Sequence, residues 1–154
     1  MNKVSCADVT DATVILELQK RAYQSEAILY NDWTIPPLTQ TLGEVINEFD
    51  EKTFLKICGS DGIIGSVRAS MKDGTCYVGC LIVHPELQHQ GIGTLLMLAI
   101  EREFTTAGRF ELFTGSRSEG NVRLYERLGY RPYRTECLSP KVELIFMEKK
   151  VNKR

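Results

Sequence analysis

Near the start of the chain, Val14, Leu18, Ala22 and Leu29 recur at helical spacing, with Ile15 beside them. Residues 3–8 fit a short strand ahead of this run. Asp11 is placed to cap the helix, which the pattern carries to about Tyr30. Pro36 and Pro37 cannot continue a helix, so residues 33–38 break the pattern. A second helix is predicted from Thr41. There Thr41 and Glu44 fit a capping box, and Leu42, Val45, Ile46 and Phe49 line one face.

The period then shortens. Residues 54–58, 63–71 and 75–83 read as three strands, separated by Asp61-Gly62 and Asp73-Gly74. Asp-Gly suits the positive backbone angles of tight hairpin turns, so the three strands form a meander. In the third strand, Cys76, Val78, Cys80 and Ile82 alternate with Tyr77, Leu81 and Val83. A strand apolar on both faces belongs in the middle of a covered sheet.

After Pro85 a glycine-bearing turn opens a helix over residues 91–107, closed by Gly108. Residues 110–114 form a strand. Ser118 is placed to cap a short helix that contains Asn121, Leu124, Tyr125 and Leu128 and stops at Gly129. Strands at residues 130–133 and 142–149 complete the chain. The fold class is α+β: a central mixed, mostly antiparallel sheet of about seven strands flanked by about four helices. The crossover from 75–83 through the long helix to 110–114 should be parallel and right-handed.

The chain has 154 residues, 25% of them charged and 43% apolar. That length suits one domain, residues 1–154, with a core that needs no disulfides. A net charge of −1 weighs against a protein devoted to polyanions. No apolar run approaches the ~20 residues of a membrane span. Asp8 and Asp11 precede the first apolar segment, which is not a signal-peptide pattern. Five scattered cysteines and two histidines give no metal-ligand spacing. The cysteines read as small apolar groups in a reducing cytoplasm, and no metal is expected.

The segment that carries chemistry joins the third meander strand to the long helix. A helix N-terminus offers unpaired N–H groups and a partial positive charge. Gly91 and Gly93 would let a phosphate approach that backbone closely, making a pyrophosphate cradle without a lysine. The alternative is a tight strand-to-helix turn whose glycines serve packing only. A third glycine of the dinucleotide fingerprint and the lysine of a Walker loop are both absent.

The longer string Gln88-His89-Gln90-Gly91-Ile92-Gly93 resembles the Gln/Arg-x-x-Gly-x-Gly/Ala signature of the GNAT superfamily of acyl-CoA-dependent N-acetyltransferases. Downstream, Asn121, Tyr125 and Leu128-Gly129-Tyr130 resemble the later motif of the same family. The coarse order of strands and helices is similar from about residue 3 to residue 149.

That resemblance implies acetyl-CoA as cosubstrate. Leu81, Ile82 and Val83 would pair with the pantetheine arm through a splayed gap in the sheet. Gln88, His89, Gln90, Gly91, Ile92, Gly93 and Thr94 would hold the pyrophosphate. Asn121 would hydrogen-bond the coenzyme further along. Tyr125 would donate a proton to the departing thiolate, a role suited to a phenol at neutral pH. A buried core tyrosine is the alternative. The acceptor would be a primary amine of a small molecule or peptide, attacking directly, with the oxyanion steadied by a backbone N–H near Leu81 or Ile82.

An ammonium must lose a proton before it attacks, and Glu26, Asp32, Glu111 and His84 are candidate bases. Glu111, within an apolar strand, is the one placed with Tyr125 as catalytic, although alternate strand positions often face solvent. By the same resemblance Glu26, Tyr30 and Asp32 fall in the region of the acceptor wall, where the two carboxylates either attract a cationic amine or are ordinary surface charge. A homodimer is implied by resemblance only. Two rival readings stand beside the enzyme: an acyl-CoA sensor without turnover, and an acetyltransferase acting on aminoacyl-tRNA. Arg117, Arg123, Arg127, Arg131 and Arg134 keep the nucleic-acid reading open, although they could instead meet the coenzyme's adenosine 3′-phosphate or form a solvated face, and the net charge speaks against nucleic acid.

Overall fold

The computed structural model describes residues 3–151 of the chain. Seven strands form one sheet: β1 (Val4–Cys6), β2 (Thr53–Gly59), β3 (Gly62–Lys72), β4 (Thr75–Val83), β5 (Arg109–Gly115), β6 (Arg131–Ser139) and β7 (Val142–Lys150). Their spatial order is β1-β2-β3-β4-β5-β7-β6, which puts β4 at the centre. Only β4 and β5 pair in parallel; every other neighbour is antiparallel.

The helical segments are α1 (Ala12–Ala22), α2 (Gln24–Tyr30), α3 (Pro36–Thr39), α4 (Leu42–Glu48), α5 (Ile92–Glu103) and α6 (Glu119–Arg127). On one face, α5 and α6 cover the sheet through Ile92, Leu96, Met97, Ile100 and Tyr125, packed on Leu55, Val67, Val78, Leu112 and Met147. On the other face, Ile15, Leu18 and Val45 from α1 and α4 bury Phe54 and Ile82.

The long N-terminal helix is interrupted. A 3-10 turn at Val9–Asp11 precedes it, capped by Asp8. Asp11 caps nothing in α1; its carboxylate instead accepts from the Asp8 N–H and pairs with Lys56. The helix breaks again at Tyr23, and α2 ends at Asn31 in a left-handed conformation. The prolines do not exclude a helical turn: α3 begins on them, because a first-turn N–H needs no intrahelical partner. The Thr41–Glu44 capping box is present at α4.

Strand β4 does not keep one alternation along its length. Cys80 has φ 48, and residues 80 and 81 together oppose Val67 of β3. This bulge inverts the faces. Cys76 and Val78 point towards α5, whereas Cys80 and Ile82 point towards α1. β6 is longer than its four-residue expectation. It is an edge strand exposed along nearly its whole length, so no apolar alternation marks it.

Candidate functional site

The parallel pairing of β4 with β5 lasts for Thr75↔Arg109, Cys76↔Phe110 and Tyr77↔Glu111 and then stops. Beyond it the strands separate, and residues 78–83 have no β5 partner. The gap opens between two cavities. One, of about 680 Å³, runs along Leu81, Ile82 and Val83 to the N-terminus of α5. The other, of about 480 Å³, lies between α1–α4 and the sheet and reaches Tyr125. Tyr23, Glu26, Leu81, Ser118 and Asn121 line both.

The corner before α5 is built from backbone. His84 caps a 3-10 turn at Pro85–Leu87 through Nδ1, which accepts from the Glu86 N–H at 3.1 Å. His89 and Gly91 then take φ 64 and 82, turning the chain sharply. No side chain caps α5. The first intrahelical bond comes from the Leu95 N–H to the Gly91 carbonyl, so the amides of residues 92–94 are open at the end of the cavity. Gly93 faces Leu124, Leu81 and Val83, and Gly91 faces open space. Gly91 is therefore needed for its backbone angle, whereas a Cβ at Gly93 would meet these side chains at ordinary van der Waals distance. Gln88, His89, Gly91, Ile92, Gly93 and Thr94 line this cavity; Gln90 does not. Arg117 and Arg127 also line it.

In the smaller cavity, Tyr125 is 7% exposed. Burial pushes its phenol well above the ordinary value, with smaller contributions from Cys80 and Glu26. Its ring edge meets Tyr130, and its hydroxyl makes no hydrogen bond to another described residue. Asn121, one turn earlier on α6, donates to Thr114 Oγ1 at 3.2 Å and to Glu26 Oε1 at 3.4 Å. Ser118 does not cap α6. Its Oγ donates to Glu26 Oε2 at 2.7 Å and lies 2.8 Å from the Tyr30 hydroxyl.

The floor of the smaller cavity is a buried polar cluster that the sequence pattern did not single out. Arg68, 3% exposed, donates from Nη1 to Glu48 at 2.7 Å and from Nη2 to Cys80 Sγ at 2.9 Å and to Gln19 Oε1. Gln19 also donates to the Pro37 carbonyl and to Gln40, both at 2.9 Å. Lys52 completes the cluster on Glu48 at 2.7 Å. Burial, the largest single influence, works to raise the Glu48 carboxyl, but Lys52 and Arg68 outweigh it and the net shift is downward. Burial pushes the Cys80 thiol up, against the opposing charge of Arg68.

Other expected residues lie elsewhere. Glu111 lines neither cavity; its carboxylate accepts from Arg109 and from the Tyr133 hydroxyl, both at 2.7 Å. Its place in an apolar strand reflects this ion-pair network with Arg109. Asp32 lines neither cavity and accepts from Thr34 and Ser139. His84 is used as a cap. Of the arginine group, Arg123 faces Glu119 in solvent, Arg131 holds the carbonyls of Glu126 and Tyr130, and Arg134 pairs with Glu136. Among the described residues no three His, Cys, Asp or Glu side chains gather closely enough to hold a metal ion. No helix among them is long and apolar enough to cross a membrane.

The model of the acetyltransferase (GNAT) family matches residues 14–130. No curated protein matches the sequence. Among solved structures, the chain is similar to the PaiA N-acetyltransferase of Thermoplasma acidophilum, solved in complex with coenzyme A. The TM-score is 0.79 and the identity 16%, over 98% of this chain and 99% of that one. It is also similar to the ribosomal-protein-S18-alanine N-acetyltransferase of Escherichia coli, with a TM-score of 0.76, 15% identity and 100% and 96% coverage. YncA of Salmonella typhimurium, solved with its cofactor acetyl-CoA, gives 0.77, 18%, 99% and 95%.

Proposed function

Since the chain belongs to the acetyltransferase (GNAT) family and is thereby an acyltransferase, we propose that it moves an acetyl group from acetyl-CoA to the primary amine of a small molecule or peptide. Acetyl-CoA supplies an activated thioester. The open amides of residues 92–94 suit its diphosphate, because a helix N-terminus favours an anion. Arg117 and Arg127 line the same cavity and suit further phosphate charge. The unpaired edge of β4 at residues 78–83 offers backbone donors and acceptors to an extended amide-bearing arm. Two similar structures, solved with coenzyme A and with acetyl-CoA, support this ligand.

The observation that carries the reading is Tyr125: a buried phenol in the smaller cavity, beside the splayed gap, whose hydroxyl has no hydrogen-bond partner among the described residues. Held neutral by burial, it keeps a proton to give to a leaving thiolate. Glu26 serves as the amine-binding carboxylate and base. It lines both cavities, accepts only from neutral donors, and has no cation paired with it among the described residues. It takes this role in place of Glu111. The cytoplasmic location rests on the five free thiols, and the homodimer on family resemblance.

The test is a panel of amines and short peptides with acetyl-CoA, read as free thiol release. Release with at least one amine, lost in Tyr125→Phe, supports the assignment. Coenzyme binding with no release from any amine supports a sensor instead.

A further inference from the structure

Around Glu26 the hydrogen bonds run in one direction. The Arg117 backbone N–H can only donate, and it donates to the Tyr30 hydroxyl at 2.9 Å. An ionised Glu26 can only accept, and Ser118 gives it a proton at 2.7 Å. The one proton of Tyr30 is then left for Ser118 Oγ, 2.8 Å away. Tyr30 and Ser118 are each 5% exposed, so neither hydroxyl can exchange these partners for bulk water at small cost. Every proton in the chain has an acceptor when Glu26 is a carboxylate.

The backbone is shaped for this arrangement. A Cβ at Gly115 would lie 2.0 Å from the Tyr30 hydroxyl and 3.0 Å from Ser118 Oγ. Only glycine at that point of β5 lets the phenol reach across from α2. Arg117 also sets its guanidinium 5.8 Å from the centre of the Tyr30 ring.

We propose that Tyr30 and Ser118 are positioning residues that hold the Glu26 carboxylate aimed at the junction of the two cavities, as the seat of the acceptor's ammonium. The inference rests on the role given to Glu26 above. It predicts that the acceptor binds as a cation and that the hydroxyl chain acts on the enzyme's grip on the amine, not on the coenzyme.

The test is a kinetic double-mutant cycle with acetyl-CoA and the fastest of four probes: benzylamine, putrescine, L-methionine amide and an alanine-initiated hexapeptide. Ser118→Ala should raise the amine KM roughly tenfold, in line with loss of one hydrogen bond to a charged group, and Tyr30→Phe, which reaches the carboxylate through Ser118, roughly fivefold, in line with loss of a neutral hydrogen bond. Coenzyme Kd should stay within about twofold, and Ser118→Thr, which keeps the hydroxyl, should recover most of the loss. In a Glu26→Gln background, Tyr30→Phe should add less than about twofold, because its effect passes through the carboxylate. Equal losses in both backgrounds, or a matching loss of coenzyme affinity, overturn the proposal and leave Tyr30 a packing residue. A wild-type response in Glu26→Gln overturns the role of Glu26 itself. If Glu26→Gln is impaired and Tyr30→Phe and Ser118→Ala are not, only the positioning role fails. No turnover of any probe counts against both readings.

Discussion

Burial holds the Tyr125 phenol well above its ordinary value of 10.0, so it stays protonated throughout the range in which an amine acetyltransferase is assayed. Two outcomes follow at this position. Tyr125→Phe should lower kcat by about 100-fold, the lower bound for loss of a general acid, and leave coenzyme Kd within about twofold. The wild-type kcat should show no fall from Tyr125 ionisation up to about pH 9.5; a wild-type alkaline limb near pH 9 that vanishes in Tyr125→Phe would contradict the burial argument. Tyr125 and Asn121 were legible in the sequence because they fall in a motif on one turn of a helix. Arg68, Gln19 and Glu48 were not, since three separate elements bring them together. Glu48→Gln would leave a buried Arg68 without its carboxylate and should cost about 3 kcal/mol in urea unfolding. The lowered Glu48 carboxyl favours the folded state above its ordinary value of 4.5. That stability is lost as pH falls through the lowered folded value, so the acid slope of stability should be shallower in Glu48→Gln than in wild type.

Among the elements, β4 and α5 decide where the chemistry sits. The bulge at Cys80 turns Leu81 and Val83 to the α5 side, which alternation alone assigned correctly only as far as Val78. A bulge is set by the partner strand, so a single strand's pattern does not reveal it. The α5 N-terminus was legible because Gly91 has a specific local use, a left-handed backbone angle just ahead of the helix. Gly91→Ala puts a side chain at φ 82 with open space around it. The expected cost is strain of about 1 kcal/mol in folding, with a weaker hold on coenzyme A measured by calorimetry. Unchanged affinity would mean that the corner is structural only. The break at Tyr23 escaped the periodic pattern because α2 continues almost in phase with α1. It matters for the site, since it turns Glu26 and Tyr30 towards α6.

Across the whole molecule, two halves of one sheet are joined in parallel for only three residue pairs. The order of strands and helices, and the single parallel pair, were legible from hairpin turns and a long crossover. The separation of β4 from β5 was expected only through the family resemblance, because no residue in either strand encodes it. A ligand that needs that gap binds only the folded chain and stabilises it by mass action, so coenzyme A at about 100 times its Kd should raise stability by about 2.7 kcal/mol. The most direct measurement is a crystal structure of the protein with acetyl-CoA. The account predicts the diphosphate on the amides of residues 92–94 and the thioester sulfur within hydrogen-bond reach of the Tyr125 hydroxyl. Coenzyme density elsewhere, or none at millimolar acetyl-CoA, would contradict it.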